Sequence, residues 1–140
     1  VSLRDDLYKE VILDHFENPR NYGVLEPCTS HEKGMNPLCG DELEIYLRMD
    51  NDKINEITFN GKGCSISQSS GSMMTELVKG KSKVEAYEIL KKFKKAILED
   101  SNEVFSEDEG DLEALLGVKK YPVRVKCAVL AWNTLEQMLK

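Results

Sequence analysis

The chain has 140 residues, 41% apolar and 31% charged, with 19 Lys plus Arg against 25 Asp plus Glu. A net charge of −6 disfavours nucleic-acid binding, which depends on neutralising phosphates, and no apolar run approaches the roughly 18 residues of a membrane span. The first residues show no charged-then-apolar leader, so the cytoplasm is the default compartment; the length suits a single domain over residues 1–140.

Leu3, Leu7 and Val11, with Tyr8, Ile12 and Phe16, recur at helical spacing and predict an amphipathic first helix. Asn18-Pro19-Arg20-Asn21 and Gly23 stop it. From there to Pro37 turn formers abound without a clear period, and the segment reads as irregular. Leu43, Ile45, Leu47 and Met49 alternate with Glu44, Tyr46 and Arg48, the pattern of a half-buried strand. Asp50-Asn51-Asp52 turns the chain into a second strand with Ile57 and Phe59, Ile54 being out of phase. A short third strand is expected at Gly61 to Cys64.

Ser65 to Val78 reads as a helix stopped by Gly80, with Ile66, Met73, Met74, Leu77 and Val78 on one side. Its Ser69-Ser70-Gly71-Ser72 stretch is poor helix material, Gly alone costing on the order of 1 kcal/mol against Ala; such small side chains suit close approach to a sheet. A third helix turns Ala86, Leu90, Phe93 and Ile97 inward. Seven lysines between Lys79 and Lys95 and seven acids between Glu99 and Asp111 read as solvated faces and an acidic loop, with a partner-docking patch as the alternative. A helical turn at Leu112 to Leu116 follows. Pro122 opens a last helix that buries Val125, Val129, Trp132, Leu135 and Leu139. This order of elements predicts an α+β fold, a small antiparallel sheet with helices packed on one face.

Cys28, Cys39, Cys64 and Cys127 form no C-x-x-C pair, which removes thioredoxin-type redox chemistry and simple zinc-finger or ferredoxin readings. Scattered thiols of this kind are either ordinary core residues or a site gathered from distant segments. Cys39-Gly40-Asp41 enters the first predicted strand, where residues i and i+2 project to the same side. Cys64 stands at a glycine-rich junction where a helix start favours thiolate, and Cys127 follows Lys126, whose ammonium would do the same. Three such thiols and one carboxylate make a four-ligand tetrahedral set of the kind that takes zinc or iron–sulfur chemistry.

The string Asp14-His15-Phe16-Glu17-Asn18-Pro19-Arg20-Asn21-Tyr22-Gly23 resembles the N-terminal signature of the iron–sulfur cluster assembly scaffold family that includes IscU, SufU and the N-terminal module of NifU. Asn36 to Asp41, Gly61 to Ser67 and Val125 to Ala131 resemble its three cysteine motifs. The resemblance implies a three-stranded antiparallel sheet and a site of Cys39, Asp41, Cys64 and Cys127 that holds Zn²⁺ or a transient [2Fe–2S] cluster. Its implied partners are a pyridoxal-phosphate cysteine desulfurase of the SufS or IscS type, then apo iron–sulfur proteins or a downstream scaffold.

Lys126 stands where IscU-type members carry His, and a protonated Lys cannot ligate a metal. The proline-rich chaperone recognition segment is replaced by Tyr121-Pro122-Val123-Arg124-Val125, and an acidic insertion is placed near residues 99–111. These three features resemble the SufU branch of Gram-positive bacteria, whose members resemble zinc-dependent sulfur acceptors. The expected function is therefore sulfur acceptance from the desulfurase through the Cys39 thiolate, a carrier role rather than independent turnover. A cluster scaffold using the same residues is the alternative, and a structural zinc domain the weaker one. Cys28 is expected to be a bystander. His15 is expected at a helix end, with desulfurase docking as its other reading, and Arg124 and Lys126 are either surface charges or guides for an anionic partner.

Overall fold

A computed structural model of the chain describes residues 3–99 and 105–140, with side chains from residue 6 onward. The elements run α1 (Leu3–Glu17), β1 (Ser30–Asn36), β2 (Asp41–Asp50), β3 (Lys53–Lys62), α2 (Ser65–Val78), α3 (Lys83–Leu98), α4 (Leu112–Leu115) and α5 (Pro122–Leu139). Single 3₁₀ turns at Glu107–Glu109 and Leu116–Val118 flank α4. Part of the expected acidic insertion, residues 100–104, lies outside the described residues, as does the side chain of Leu3. No helix of the described residues is long and apolar enough to cross a membrane.

The sheet is antiparallel with strand order β1-β2-β3. Its third strand is β1, in the segment read from sequence as irregular, and not Gly61 to Cys64; Gly61 and Lys62 instead finish β3. Ser30–Asn36 hides from periodicity because it is a polar edge strand whose one buried residue is Asn36. Asn51, at φ +57, takes the left-handed position of the tight β2–β3 turn. Between Arg48↔Glu56 and Met49↔Ile54 the register shifts, leaving Asn55 unpaired. That bulge returns Ile54 to the inner face, where it is fully buried beside Leu43, Ile45, Leu47, Ile57 and Phe59.

The helices cover this inner face, with α2 lying between the sheet, α1 and α5 and buried along most of its length. Gly71 makes that possible: a Cβ there would stand 3.1 Å from the Phe59 ring. The Ser70 hydroxyl donates to the Ala128 carbonyl at 2.6 Å and accepts the Trp132 indole N–H at 3.0 Å, fastening α2 to α5. In α3 the inward residues Ala86, Leu90, Phe93 and Ile97 are buried as their spacing requires, and Ser82 with Glu85 forms a capping box.

On α1 the buried stripe differs from the expected one. Leu7 and Phe16 are exposed, while Tyr8, Val11, Ile12 and His15 turn inward. The period of 3.6 puts position 15 in line with 8, 11 and 12, and His15 tolerates burial because both ring nitrogens have partners, Ser72 Oγ at 2.8 Å and Asp111 Oδ2 at 2.9 Å. At 1% exposure the ring offers no surface of its own for the docking reading.

Candidate metal centre

Three turns of chain meet at one end of the sheet. Pro37 to Gly40 form the four-residue loop that joins Asn36 of β1 to its partner Asp41 of β2. Gly40, at φ +71, supplies the positive dihedral that this loop needs. Cys39 therefore rides on a partly exposed hairpin tip, while Asp41, the first residue of β2, is buried at 1% exposure. Cys64 is the N-cap of α2, in extended conformation. Cys127 lies in the second turn of α5 and is also buried.

The Sγ atoms of Cys39 and Cys127 are 3.0 Å apart. Together with a carboxylate oxygen of Asp41, they lie within 4.8 Å of one another. Cys64 Sγ approaches the same carboxylate, 4.0 Å from Asp41 Oδ2. Cys28 precedes β1 and lies outside this cluster.

Asp41 organises the pocket. Its Oδ1 accepts the backbone N–H of Cys64 at 2.9 Å, and the Asn36 amide stands 3.5 Å from its Oδ2 and 3.6 Å from Cys127 Sγ. Gly63 comes so close that a Cβ there would lie 2.5 Å from Asp41 Oδ1 and 2.6 Å from Ser67 Oγ. Asn36 was missed as a site residue because a lone Asn before a turn has no chemical signature; its strand pairing with Asp41 is what places it.

Burial pushes the Cys127 thiol up, and neighbouring Cys39, Asp41 and Cys64 push it further. The expected lowering by Lys126 does not occur. Successive helix residues diverge by about 100°, so Lys126 stands exposed while Cys127 faces inward. Arg124 is also exposed, its guanidinium 4.7 Å from the Tyr121 ring centroid.

The donor set suits a thiophilic cation. The Cys39 and Cys127 thiols cluster with the Asp41 carboxylate, the Cys64 thiol stands beside that carboxylate, and among the described residues no Lys, Arg or His forms a salt bridge with the buried Asp41. A buried carboxylate without a cationic partner is costly, and a divalent ion between these four side chains would remove that cost.

Residues 7–139 match the family model described as the NifU-like N-terminal domain. The chain belongs to this family. Among its family relatives is the zinc-dependent sulfurtransferase SufU of Bacillus subtilis, 44% identical over 95% of this chain and 89% of that protein. The iron–sulfur cluster assembly scaffold protein IscU of Streptococcus pyogenes is 39% identical over 100% of this chain and 87% of its own length. A solved family structure from Fervidobacterium islandicum, described as a cluster assembly scaffold protein for the SUF system, superposes with a TM-score of 0.85 at 40% identity. That superposition covers 94% of this chain and 95% of the other. Membership accords with the α+β fold and three-stranded sheet implied by the four sequence motifs.

Proposed function

We propose that this chain is a zinc-binding sulfur acceptor of iron–sulfur cluster biogenesis, working in the cytoplasm with a pyridoxal-phosphate cysteine desulfurase. The observation that carries the reading is the convergence of Cys39, Cys127, Asp41 and Cys64, with Cys39 alone on a hairpin tip. The SufU name of the Bacillus subtilis relative supports it.

Cys39, Asp41, Cys64 and Cys127 would hold the zinc, Cys64 and Cys127 as anchors on helices and Cys39 as the ligand that leaves. Bound zinc supplies charge that keeps the thiols as thiolates and guards them against disulfide formation. The Cys39 thiolate attacks the outer sulfur of the desulfurase persulfide. A new Cys39 sulfur–sulfur bond forms, the donor's sulfur–sulfur bond breaks, and the desulfurase cysteine departs as thiolate. Asp41 holds Cys64 in place through its N–H throughout.

The same four side chains would carry a [2Fe–2S] cluster as cargo in a scaffold role, a reading favoured by the IscU name of a relative matching the whole chain. Protein purified under reducing conditions decides between them. One zinc per chain, with desulfurase stimulation lost in Cys39→Ser, supports sulfur acceptance. A cluster that forms and passes intact to an apo-protein supports the scaffold. Metal retained without effect on any desulfurase overturns both.

A further inference from the structure

We propose that His15, Glu76 and Asp111 form a second cation site, which takes one divalent ion of hard to borderline character where α1, α2 and α4 meet. One imidazole nitrogen and one oxygen from each carboxylate lie within 4.8 Å of one another. Donors bound to a single ion at about 2.0–2.2 Å stand at most about 4.4 Å apart, so only a small shift of the two half-exposed carboxylates is needed.

The imidazole is built into the protein rather than draped over it. His15 is 1% exposed, and its Nδ1 lies 2.8 Å from Ser72 Oγ, which also accepts the Arg20 N–H at 2.8 Å. That hydroxyl oxygen has a second lone pair. Without an ion Nε2–H faces Asp111 Oδ2, 2.9 Å away; an ion that displaces this proton leaves the ring as the other tautomer, with Nδ1–H donating to the hydroxyl oxygen. A metal-ligating His ordinarily gives its other ring N–H to such a partner, fixing tautomer and ring orientation together.

Charge points the same way. Glu76 and Asp111 each have 52% exposed side chains, so an ion reaches them from solvent without unfolding. Among the described residues the cation paired with Glu76 is Arg20, at 3.8 Å, and Arg20 pairs more closely with Asp14 at 2.7 Å. The set holds nitrogen and oxygen but no sulfur, which suits Mn²⁺ or Fe²⁺ rather than an ion that seeks thiolates. It is also separate from the cysteine pocket: Ser72 lies eight residues beyond Cys64 on α2, roughly 12 Å along the axis. An ion here would replace the single His15–Asp111 contact with three bonds, pinning the end of α1 and the start of α4 to α2.

Mn²⁺ is the probe, because it binds thiolates poorly and its free six-line electron paramagnetic resonance signal vanishes on binding. The full chain is titrated with MnCl₂. One Mn²⁺ per chain is expected. Asp111→Asn and Glu76→Gln should each weaken binding at least tenfold, and the double variant should abolish it, while Cys39→Ser leaves it unchanged. Added Mn²⁺ should also raise the melting temperature of the wild type but not of the double variant. Wild-type binding weaker than millimolar, equal binding in the double variant, or loss in Cys39→Ser would each overturn the assignment. None of these outcomes depends on whether the cysteine pocket accepts sulfur.

Discussion

The backbone N–H of Cys64 donates to Oδ1 of Asp41 at 2.9 Å, tying the start of α2 to the first residue of β2. A buried N–H deprived of its acceptor costs about 1–3 kcal/mol. Asp41→Asn keeps a carbonyl oxygen for that bond and Asp41→Ala does not. In metal-free protein, urea unfolding should show the Ala variant less stable than the Asn variant by about 1 kcal/mol. Both should bind zinc more weakly than wild type, since neither offers a carboxylate.

Gly63 gives a test that touches no ligand. A Cβ at this position would overlap Asp41 Oδ1 and Ser67 Oγ. Gly63→Ala should therefore displace the carboxylate and lower the zinc content of purified protein well below one per chain, with every proposed ligand still present. Zinc content equal to wild type by elemental analysis would show that the pocket has slack the structure does not indicate.

Ser70 joins two helices through one hydroxyl, donating to the Ala128 carbonyl and accepting the Trp132 N–H. Ser70→Ala leaves that buried indole N–H unpaired, and the expected loss is about 1–3 kcal/mol by urea unfolding followed through Trp132 fluorescence. Among the described residues the Ser69 hydroxyl donates to the Ile66 carbonyl in its own helix and to no other helix. Ser69→Ala should cost less than half as much.

Acid should weaken the α3–α4 connection in a defined direction. Burial raises the Glu109 carboxyl, but the Lys92 ammonium at 2.6 Å and the Ser106 N–H at 2.8 Å outweigh it and hold the group below its ordinary value of 4.5. A carboxyl lowered by folding contributes its full stability above the unfolded value and loses it as pH falls through the folded one. Glu109→Gln should be less stable than wild type at pH 7, and the gap should shrink as pH drops below 4.5. A gap of constant size down to pH 3 would refute the pairing.

Local pattern alone located α2, α3, α5 and the β2–β3 hairpin, because helix and strand periods are written in neighbouring residues. Those periods misplaced Leu7 and Phe16 and passed over β1, since a polar edge strand has meaning only once β2 lies beside it. The chemical types at Cys39, Asp41, Cys64 and Cys127 were equally legible, each beside a turn or helix start. Their meeting, the shielding of Cys127 from Lys126 and the burial of His15 between Ser72 and Asp111 were decided by tertiary structure. Sequence carries donor identity residue by residue, whereas distance and desolvation arise only when segments far apart in the chain exclude water from a shared space.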